Sequence, residues 1–372
     1  MKNIAYVGLD VHQDFIVVAM LAEGSERLLD EMKIINDRVK LVKYLKKYRR
    51  DYELRCCYEA SGCGYVAYRW LREEGIECEV IAPSLIPKRS GERIKTDRRD
   101  AEKLARLFRA GELVSVHIPT EKEEVIRGLV RCRETLKREV IKSRHYVLKF
   151  LQARGLVYRG GSNWTGRHWN YLRQLKFEGA EDITYRQYLN LLEYKLAQLK
   201  ELDKQIEEIA FTDEYRGKVS RLRCLRGIDT LTAMVLISEI NDFARFSRPG
   251  ELMSYLGLIP SESSSGNVRR QGSITKAGNV RCRRILIEAA WHYQHKPAMS
   301  GIIRKRQIGQ PLEIIKHCWQ AQQRLHKKFW RIAVRKERNK AVVAVARELV
   351  GFIWAIMTGR IDRGKGIELT VA

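Results

Sequence analysis

The sequence predicts an α/β N-terminal domain, a middle built of long helices, and a mainly α, strongly basic C-terminal region. Three observations carry this. Up to about residue 115, short apolar runs of strand character alternate with helical repeats. From about 120 to 215, two long stretches of helical periodicity flank an irregular piece. Beyond about 216, apolar residues keep recurring while acids vanish over long runs. The 372 residues suffice for two or three domains of about 100–200 residues each. The expected division is 1–118, 119–215 and 216–372. With 45% hydrophobic residues the chain can build a sizeable core, which excludes wholesale disorder.

In the first region, Ile4 to Leu9 is an apolar run ending in Gly8-Leu9-Asp10, Phe15 to Leu21 is a second, and Leu28 to Ile35 a weaker third. Val39, Val42 and Leu45 then repeat at helical spacing. Leu54 to Tyr58 is another strand, closed by Glu59 and followed by Ser61-Gly62. A helix over Tyr65 to Glu74 stops at Gly75, and a strand over Cys78 to Ala82 stops at Pro83. A last helix starts near Thr96 or Asp97 and runs to Ala110. Strands followed by strand–helix alternation imply a mixed sheet with helices packed on it.

The middle region has helical stretches over roughly 121–154 and 184–210. The second carries Leu189, Leu192, Leu196, Leu199 and Ile206 at a/d spacing, with Asp203 in one a position. A coiled coil and an ordinary amphipathic bundle helix both fit this pattern. Between the two stretches, YRGGSNWTGRHWNYLRQLKFEG mixes Trp164, Trp169 and Tyr171 with Arg159, Arg167, His168 and Arg173. Aromatics interleaved with cations can stack on unpaired bases, and they can equally cap a helical hairpin.

Charge narrows the function. Lys and Arg number 70 against 45 Asp and Glu, a net +25. Such a field favours polyanions, nucleic acid first and an anionic membrane surface second. No acid occurs from Ser263 through Ile287 or from Ile314 to Lys336, and both runs read as folded basic faces. The most apolar stretch, Val342 to Met357, is broken by Arg347 and Glu348, so no bilayer span is expected. MKNIAYVGLD lacks a signal-peptide h-region. A cytoplasmic, nucleoid-associated protein is therefore expected. Cysteines 56, 57, 63, 78, 132, 224, 282 and 318 form no CxxC pair or zinc-finger spacing, and reduced, mostly buried thiols are expected.

The acids carry the sharper signal. Asp10 closes the first strand, Glu59 closes the strand from Leu54, and Asp97 and Asp100 lie three apart on one face at a helix start. If the two strands are neighbours, both carboxylates emerge at one sheet edge. Four hard oxygen donors brought together repel one another unless cations neutralise them. Mg²⁺ or Mn²⁺ suits that ligand set. Each acid alone could be a turn or helix-end residue; the order strand-Asp, strand-Glu, Asp-x-x-Asp is the specific feature.

The third region contains YLGLIPSESSSGNVRRQGSITKAGNVRCRR, residues 255–284. Ser261 and Ser263 to Ser265 make a serine-rich loop beside Gly266. The cations Arg269, Arg270, Lys276, Arg281, Arg283 and Arg284, interspersed with Gly272 and Gly278, are candidates for holding phosphate. A serine here could be a covalent nucleophile or part of a surface loop.

GLDVH around Asp10, YEASG around Glu59 and KTDRRDA around Asp97 and Asp100 resemble the RuvC-like (RNase H-like) DEDD nuclease domain of the insertion-sequence one-ten transposase family, the bridge-RNA-guided recombinases. RuvC-type resolvases share the carboxylate order. Proofreading-type exonucleases usually carry Glu two residues after the first Asp, where His12 stands here. The C-terminal transposase domain of the family is matched by Leu258-Ile259-Pro260, Ser265-Gly266, Thr275-Lys276-Ala277-Gly278 and Arg281. Upstream, LRCLRGIDTLTAMVLISEI resembles the family's helix–hairpin–helix, with Asp229 in place of its second glycine.

The resemblance implies a transposase that cuts and exchanges DNA through a serine nucleophile mapping onto Ser265. Mg²⁺ or Mn²⁺ would sit on Asp10, Glu59, Asp97 and Asp100, a structured non-coding guide RNA would choose donor and target DNA, and a homo-oligomer would form through the helix near 189–206. The rival readings are a Holliday-junction-type Mg²⁺ endonuclease without serine chemistry and a non-catalytic nucleic-acid-binding protein.

Overall fold

The structure, a computed structural model, describes residues 2–87, 96–265 and 268–361, and of 264, 265, 268 and 269 the backbone alone. The chain divides into two compact units, Met1–Pro119 and Thr120–Ala372.

The first unit runs β1 (Asn3–Val11), β2 (Phe15–Ala22), β3 (Leu28–Ile35), α1 (Arg38–Lys46), β4 (Tyr52–Glu59), α2 (Val66–Glu73), β5 (Glu77–Ile81) and α3 (Asp97–Arg109). The sheet order is β3-β2-β1-β4-β5. β2 is antiparallel to β1 and to β3, while β4 is parallel to β1 and to β5. This is the mixed sheet that strand–helix alternation predicts, with every element near its expected place.

Side-chain alternation gives the sheet two different faces. Ala5, Val7, Leu9, Cys56, Tyr58 and Val80 enter one core with Leu41, Leu45 and Leu71 from α1 and α2. The opposite face takes α3: Val17 and Ala19 pack on Ala101, and Cys57 and Ile81 on Leu104. Adjacent Cys56 and Cys57 thus serve different cores.

On β1, the residues facing α3 are Tyr6, Gly8 and Asp10. Tyr6 meets Phe108 edge to face at 5.8 Å. A Cβ at Gly8 would stand 2.1 Å from the Ala101 carbonyl oxygen and 2.6 Å from the Ala105 nitrogen. The helix therefore lies directly on the strand backbone, and only glycine admits it. Thr96 caps α3 by accepting from the Arg99 amide.

The second unit is helical apart from one hairpin. It comprises α4 (Glu121–Gln152), α5 (Gly166–Gln174), α6 (Gly179–Ala210), α7 (Asp213–Leu222), α8 (Thr230–Ile240), α9 (Pro249–Tyr255), β6 (Pro260–Ser265), β7 (Val268–Ile274), α10 (Val280–Ala290), α11 (Gly301–Gln307), α12 (Leu312–Ala333) and α13 (Arg338–Thr358). Thr120 and Glu123 form a complete capping box at the start of α4.

Three findings revise the sequence expectations. First, the stretch 119–215 belongs to the second unit, because Val130, Ile206, Ala210 and Tyr215 enter the same core as α8, α10, α12 and α13. Second, the leucine stripe of α6 is used within the chain. Leu192 is buried, and Leu189, Leu196 and Leu199 pack with it against Val140 and Val147 of α4. Asp203 accepts from Arg133 of α4 at 2.6 Å, so the polar a position is an ion pair inside this hairpin. Third, Arg338–Thr358 is long and apolar enough by length and composition to cross a bilayer. Val342, Val345, Leu349 and Ile353 of this helix are buried in the unit's core. Arg347 is exposed, and Glu348 turns to Lys328 and Arg324.

The aromatic insert caps the α4–α6 hairpin. Trp164, Trp169, Tyr171 and Phe177 pack with Phe150, Leu172 and Tyr185. His168, fully buried, accepts on Nδ1 from the Trp164 amide at 3.0 Å. Arg144 and Arg173 lie over Trp164 and Trp169 at 5.2 and 5.6 Å.

Gly8→Ala should destabilise the first unit by about 1–3 kcal/mol, the usual cost of overpacking. The readout is the denaturant midpoint of its unfolding; an unchanged midpoint would show that strand and helix do not meet at Gly8.

Candidate metal centre and serine hairpin

The parallel pairing of β1 and β4 reaches Leu9 opposite Tyr58. Asp10 and Glu59 are the next residues on each strand. Asp10 shares the face of Gly8, and Glu59 that of Cys57, so both lie on the α3 side of the sheet. There the first turn of α3 carries Asp97 and Asp100. Gly8 sets this distance: with a side chain at that position the helix start could not reach Asp10.

Asp10, His12 and Asp97 bring one ligand atom each to within 4.8 Å of one another. His12 Nε2 lies 3.0 Å from Asp10 Oδ2 and 3.6 Å from Asp97 Oδ1. Glu59, exposed at the end of the neighbouring strand, and Asp100, one turn into α3, flank this group. Of the four acids expected to hold metal, two therefore stand in the tight cluster and two beside it.

His12 is the residue sequence reasoning passed over. Its position two residues after Asp10 was a usable signal, since i and i+2 share a strand face. Two carboxylates and an imidazole form a donor set suited to Mn²⁺ or to Mg²⁺ with retained waters. In the metal-free protein a proton on Nε2 can donate to Asp10 and offset the crowding of the two acids.

Burial lifts the Asp10 carboxyl above its ordinary range. The hydrogen bond and charge of His12 pull it back, and the nearby Asp100 and Asp97 push it up. Partial burial together with two neighbouring acids is an environment that a divalent cation would relieve.

In the second unit the serine segment is a hairpin rather than a loop. β6 and β7 pair antiparallel, with Ser263 opposite Arg270 and Ser265 opposite Val268. The side chains of Ser265 and Arg269 lie outside the described residues. Two glycines fix the hairpin's feet: a Cβ at Gly257 would stand 2.0 Å from the Ala277 carbonyl oxygen, and one at Gly278 1.9 Å from that of Tyr255. Lys276, with φ of +56°, donates its amide to the Gly257 carbonyl.

The six basic candidates divide. Arg270 and Lys276 are exposed and Arg281 half-buried. Arg283 is buried and donates to the carbonyls of Leu256 and Ala277 at 2.9 and 3.1 Å, so it braces the hairpin's feet instead of facing a phosphate. Arg284 is engaged by Glu134 and by Glu288, the latter at 2.6 Å. Beneath them Glu239, with 1% of its side chain exposed, takes both arms of Arg131 at 2.7 and 2.8 Å. It also accepts from Asn279 at 2.7 Å, and Asn279 in turn caps α10. Burial pushes the Glu239 carboxyl up, but Arg131 and Asn279 hold it below the usual range. Asp229, which replaces the second hairpin glycine, caps α8 by accepting from the Thr232 amide at 2.7 Å. Its carboxylate serves the helix pair itself.

Comparison with known proteins places these features in context. A family model for transposases of the IS116/IS110/IS902 family matches residues 219–302, and a DEDD transposase model of IS110 type matches residues 7–154. The transposase for insertion sequence element IS1533 of Leptospira borgpetersenii is 35% identical over 344 residues, 91% of this chain and 99% of the relative. A putative transposase, y4qE, of Sinorhizobium fredii is 36% identical over 359 residues, 95% and 88% of the two chains. The pilin gene-inverting protein of Moraxella bovis is 25% identical over 293 residues, 77% and 81% of the two chains. The DEDD match implies a RuvC-like N-terminal domain, in accord with the mixed sheet of the first unit.

Because the folded chain binds the Asp10 proton more tightly than an unfolded one, ionised Asp10 opposes folding of the metal-free protein as pH rises through its lifted pKa. Asp10→Asn should therefore raise the metal-free melting temperature at neutral pH and abolish the further rise that Mn²⁺ gives the parent. In the parent, Mn²⁺ affinity should fall on acidification at a higher pH than an ordinary aspartate near 4 would dictate. A variant that melts lower without metal, or still responds to Mn²⁺, would show that Asp10 is not the strained ligand described.

Proposed function

The chain belongs to the IS110/IS116 family of transposases, and from that membership we propose that it cuts and rejoins DNA with a serine nucleophile and a metal-binding acidic site. The observation that carries the reading is the convergence of Asp10, His12 and Asp97 at one sheet edge, with Glu59 and Asp100 flanking them. Mg²⁺ or Mn²⁺ held there would supply Lewis-acid polarisation of a phosphate and charge stabilisation at the departing oxygen. Asp10 and Asp97 would be direct ligands, Glu59 and Asp100 would complete the set on binding, and His12 would offer Nε2 as a further donor.

Ser265 is the proposed nucleophile, on the match of Ser265-Gly266 to the family's serine motif. Its Oγ loses a proton and bonds to phosphorus as one phosphodiester P–O bond breaks; the departing deoxyribose oxygen gains a proton. The resulting phosphoserine link conserves the bond energy for rejoining, which hydrolysis would discard. Arg270, Lys276 and Arg281 are the candidate cations that would hold the scissile phosphate; Arg269 stands beside them in sequence. A structured non-coding RNA as guide and a homo-oligomer as the working form belong to the same proposal. With the leucine seam of α6 committed to α4, subunits would meet through other surfaces of the hairpin.

A metal-only endonuclease of Holliday-junction type is the second reading. It is favoured by one fact: the acidic cluster sits within a compact unit of its own, Met1–Pro119.

Ser265→Ala decides between the two. The serine mechanism requires loss of covalent protein–DNA adduct and of strand exchange by more than about 100-fold, with Mn²⁺ binding intact. Normal recombination by the variant would leave the metal-only reading. Asp10→Ala and Asp97→Ala should each lower cleavage by more than the roughly 10- to 100-fold typical of outer-shell metal partners. The purified protein should also carry a defined RNA; recombination of DNA by RNA-free protein would remove the guide from the proposal.

A further inference from the structure

Beside the feet of the serine hairpin, the end of α12, the start of α13 and the strand ends Pro260 and Ser273–Ile274 enclose a groove of about 1320 Å³. Its rim is cationic: Arg331, Arg335, Lys336, Lys340 and Arg347 all line it, and all are exposed. Among the described residues, no acid pairs with Arg331, Arg335, Lys336 or Arg347; Lys340 meets Glu337 only at 3.8 Å. Other cations of this unit are committed to acids at close range, as Arg131 is to Glu239 and Arg133 to Asp203. The groove gathers four that are not.

Its floor is different. Ile274, Ile332 and Val343 present apolar surface between the cations. The groove also continues into a second depression of about 790 Å³ along α12, which shares Arg331 and adds Lys327 and Gln323; Lys328 and Arg324 there are paired with Glu348. The result is a track with charged edges and an apolar base.

We infer that this track holds the sugar–phosphate backbone of a DNA strand where it enters the serine hairpin. Phosphates at regular spacing suit a row of arginines and lysines on neighbouring helix turns. Apolar deoxyribose suits the floor. Ribose suits it less, because a 2′-hydroxyl there would meet Ile274, Ile332 and Val343 without a hydrogen-bond partner. The inference rests on the chain acting on DNA as a transposase and is independent of which group attacks the phosphate.

The test is the salt dependence of binding by the full chain to a fluorescent DNA duplex of arbitrary sequence. Removing three phosphate contacts in the combined variant Arg331→Ala, Arg335→Ala, Arg347→Ala should flatten the slope of log affinity against log salt by about 2 to 3. The conservative Arg331→Lys, Arg335→Lys, Arg347→Lys chain should keep the slope, because lysine preserves the charge. Circular dichroism and melting temperature verify that both variants fold. Should the alanine variant not fold, the single exposed change Arg335→Glu replaces it and should flatten the slope by about 1 or more. An unchanged DNA slope would overturn the proposal. So would a slope that flattens with single-stranded RNA but not with DNA, which would give the track to RNA. The slope reads binding without cleavage, so failure of the serine mechanism and failure of the track are read separately.

Discussion

Strand β1 and helix α3 meet backbone to backbone at Gly8, and the candidate metal centre depends on that contact. The sheet places Asp10 at a strand end, but a carboxylate at a strand end has no partner of its own. It acquires one because α3 lies against the strand with no side chain between them, which brings the first turn of the helix level with Asp10. Tyr6 on Phe108 and Cys57 on Leu104 hold the rest of the helix to the same line. The acids are thus gathered by packing elsewhere along the helix, and their mutual repulsion is imposed on them. Burial lifts the Asp10 carboxyl, and the two nearby acids of α3 add to that rise. A site assembled against repulsion favours the ion that relieves it.

The second unit handles charge in the opposite manner. Its buried acids are matched: Glu239 by Arg131 and Asn279, Glu134 by Arg133 and Arg284, Asp203 by Arg133. These pairs link α4 to α6, α8 and α10, and fix the helices around the hairpin. A net charge of +25 therefore does not describe an evenly basic protein. Several arginines are internal struts, and the surplus lies on exposed faces such as the end of α12.

Much of the first unit was legible in the sequence. Apolar runs closed by Gly, Pro or an acid gave β1, β2, β4 and β5, and the cap at Thr96 gave the start of α3. The order of the acids pointed to the candidate site because strand ends and helix starts are local features. What the sequence did not disclose was distance. Whether Glu59 and Asp100 stand in the cluster or beside it depends on strand twist and helix approach, and so does the nearness of Asp97 to His12. In the second unit, Arg283 and Arg284 look like free cations in a basic stretch. Their partners, Leu256, Ala277 and Glu134, lie on other elements. The serine hairpin was hidden for another reason: its strands are polar on both faces and lack the alternation that marks a sheet over a core. The leucines of α6 showed a seam without showing whose helix would fill it.

The glycines at the hairpin's feet bear on how this family's sequences can diverge. Gly257 and Gly278 clasp across the base so closely that neither strand can enter or leave at another angle, and Asn279 anchors the exit to a buried carboxylate. Related chains should therefore keep the residues equivalent to 255–258 and 275–283 in step with each other, because a change on one side of the clasp displaces the other. The segment could then be exchanged between relatives as a cassette, cut at the clasp.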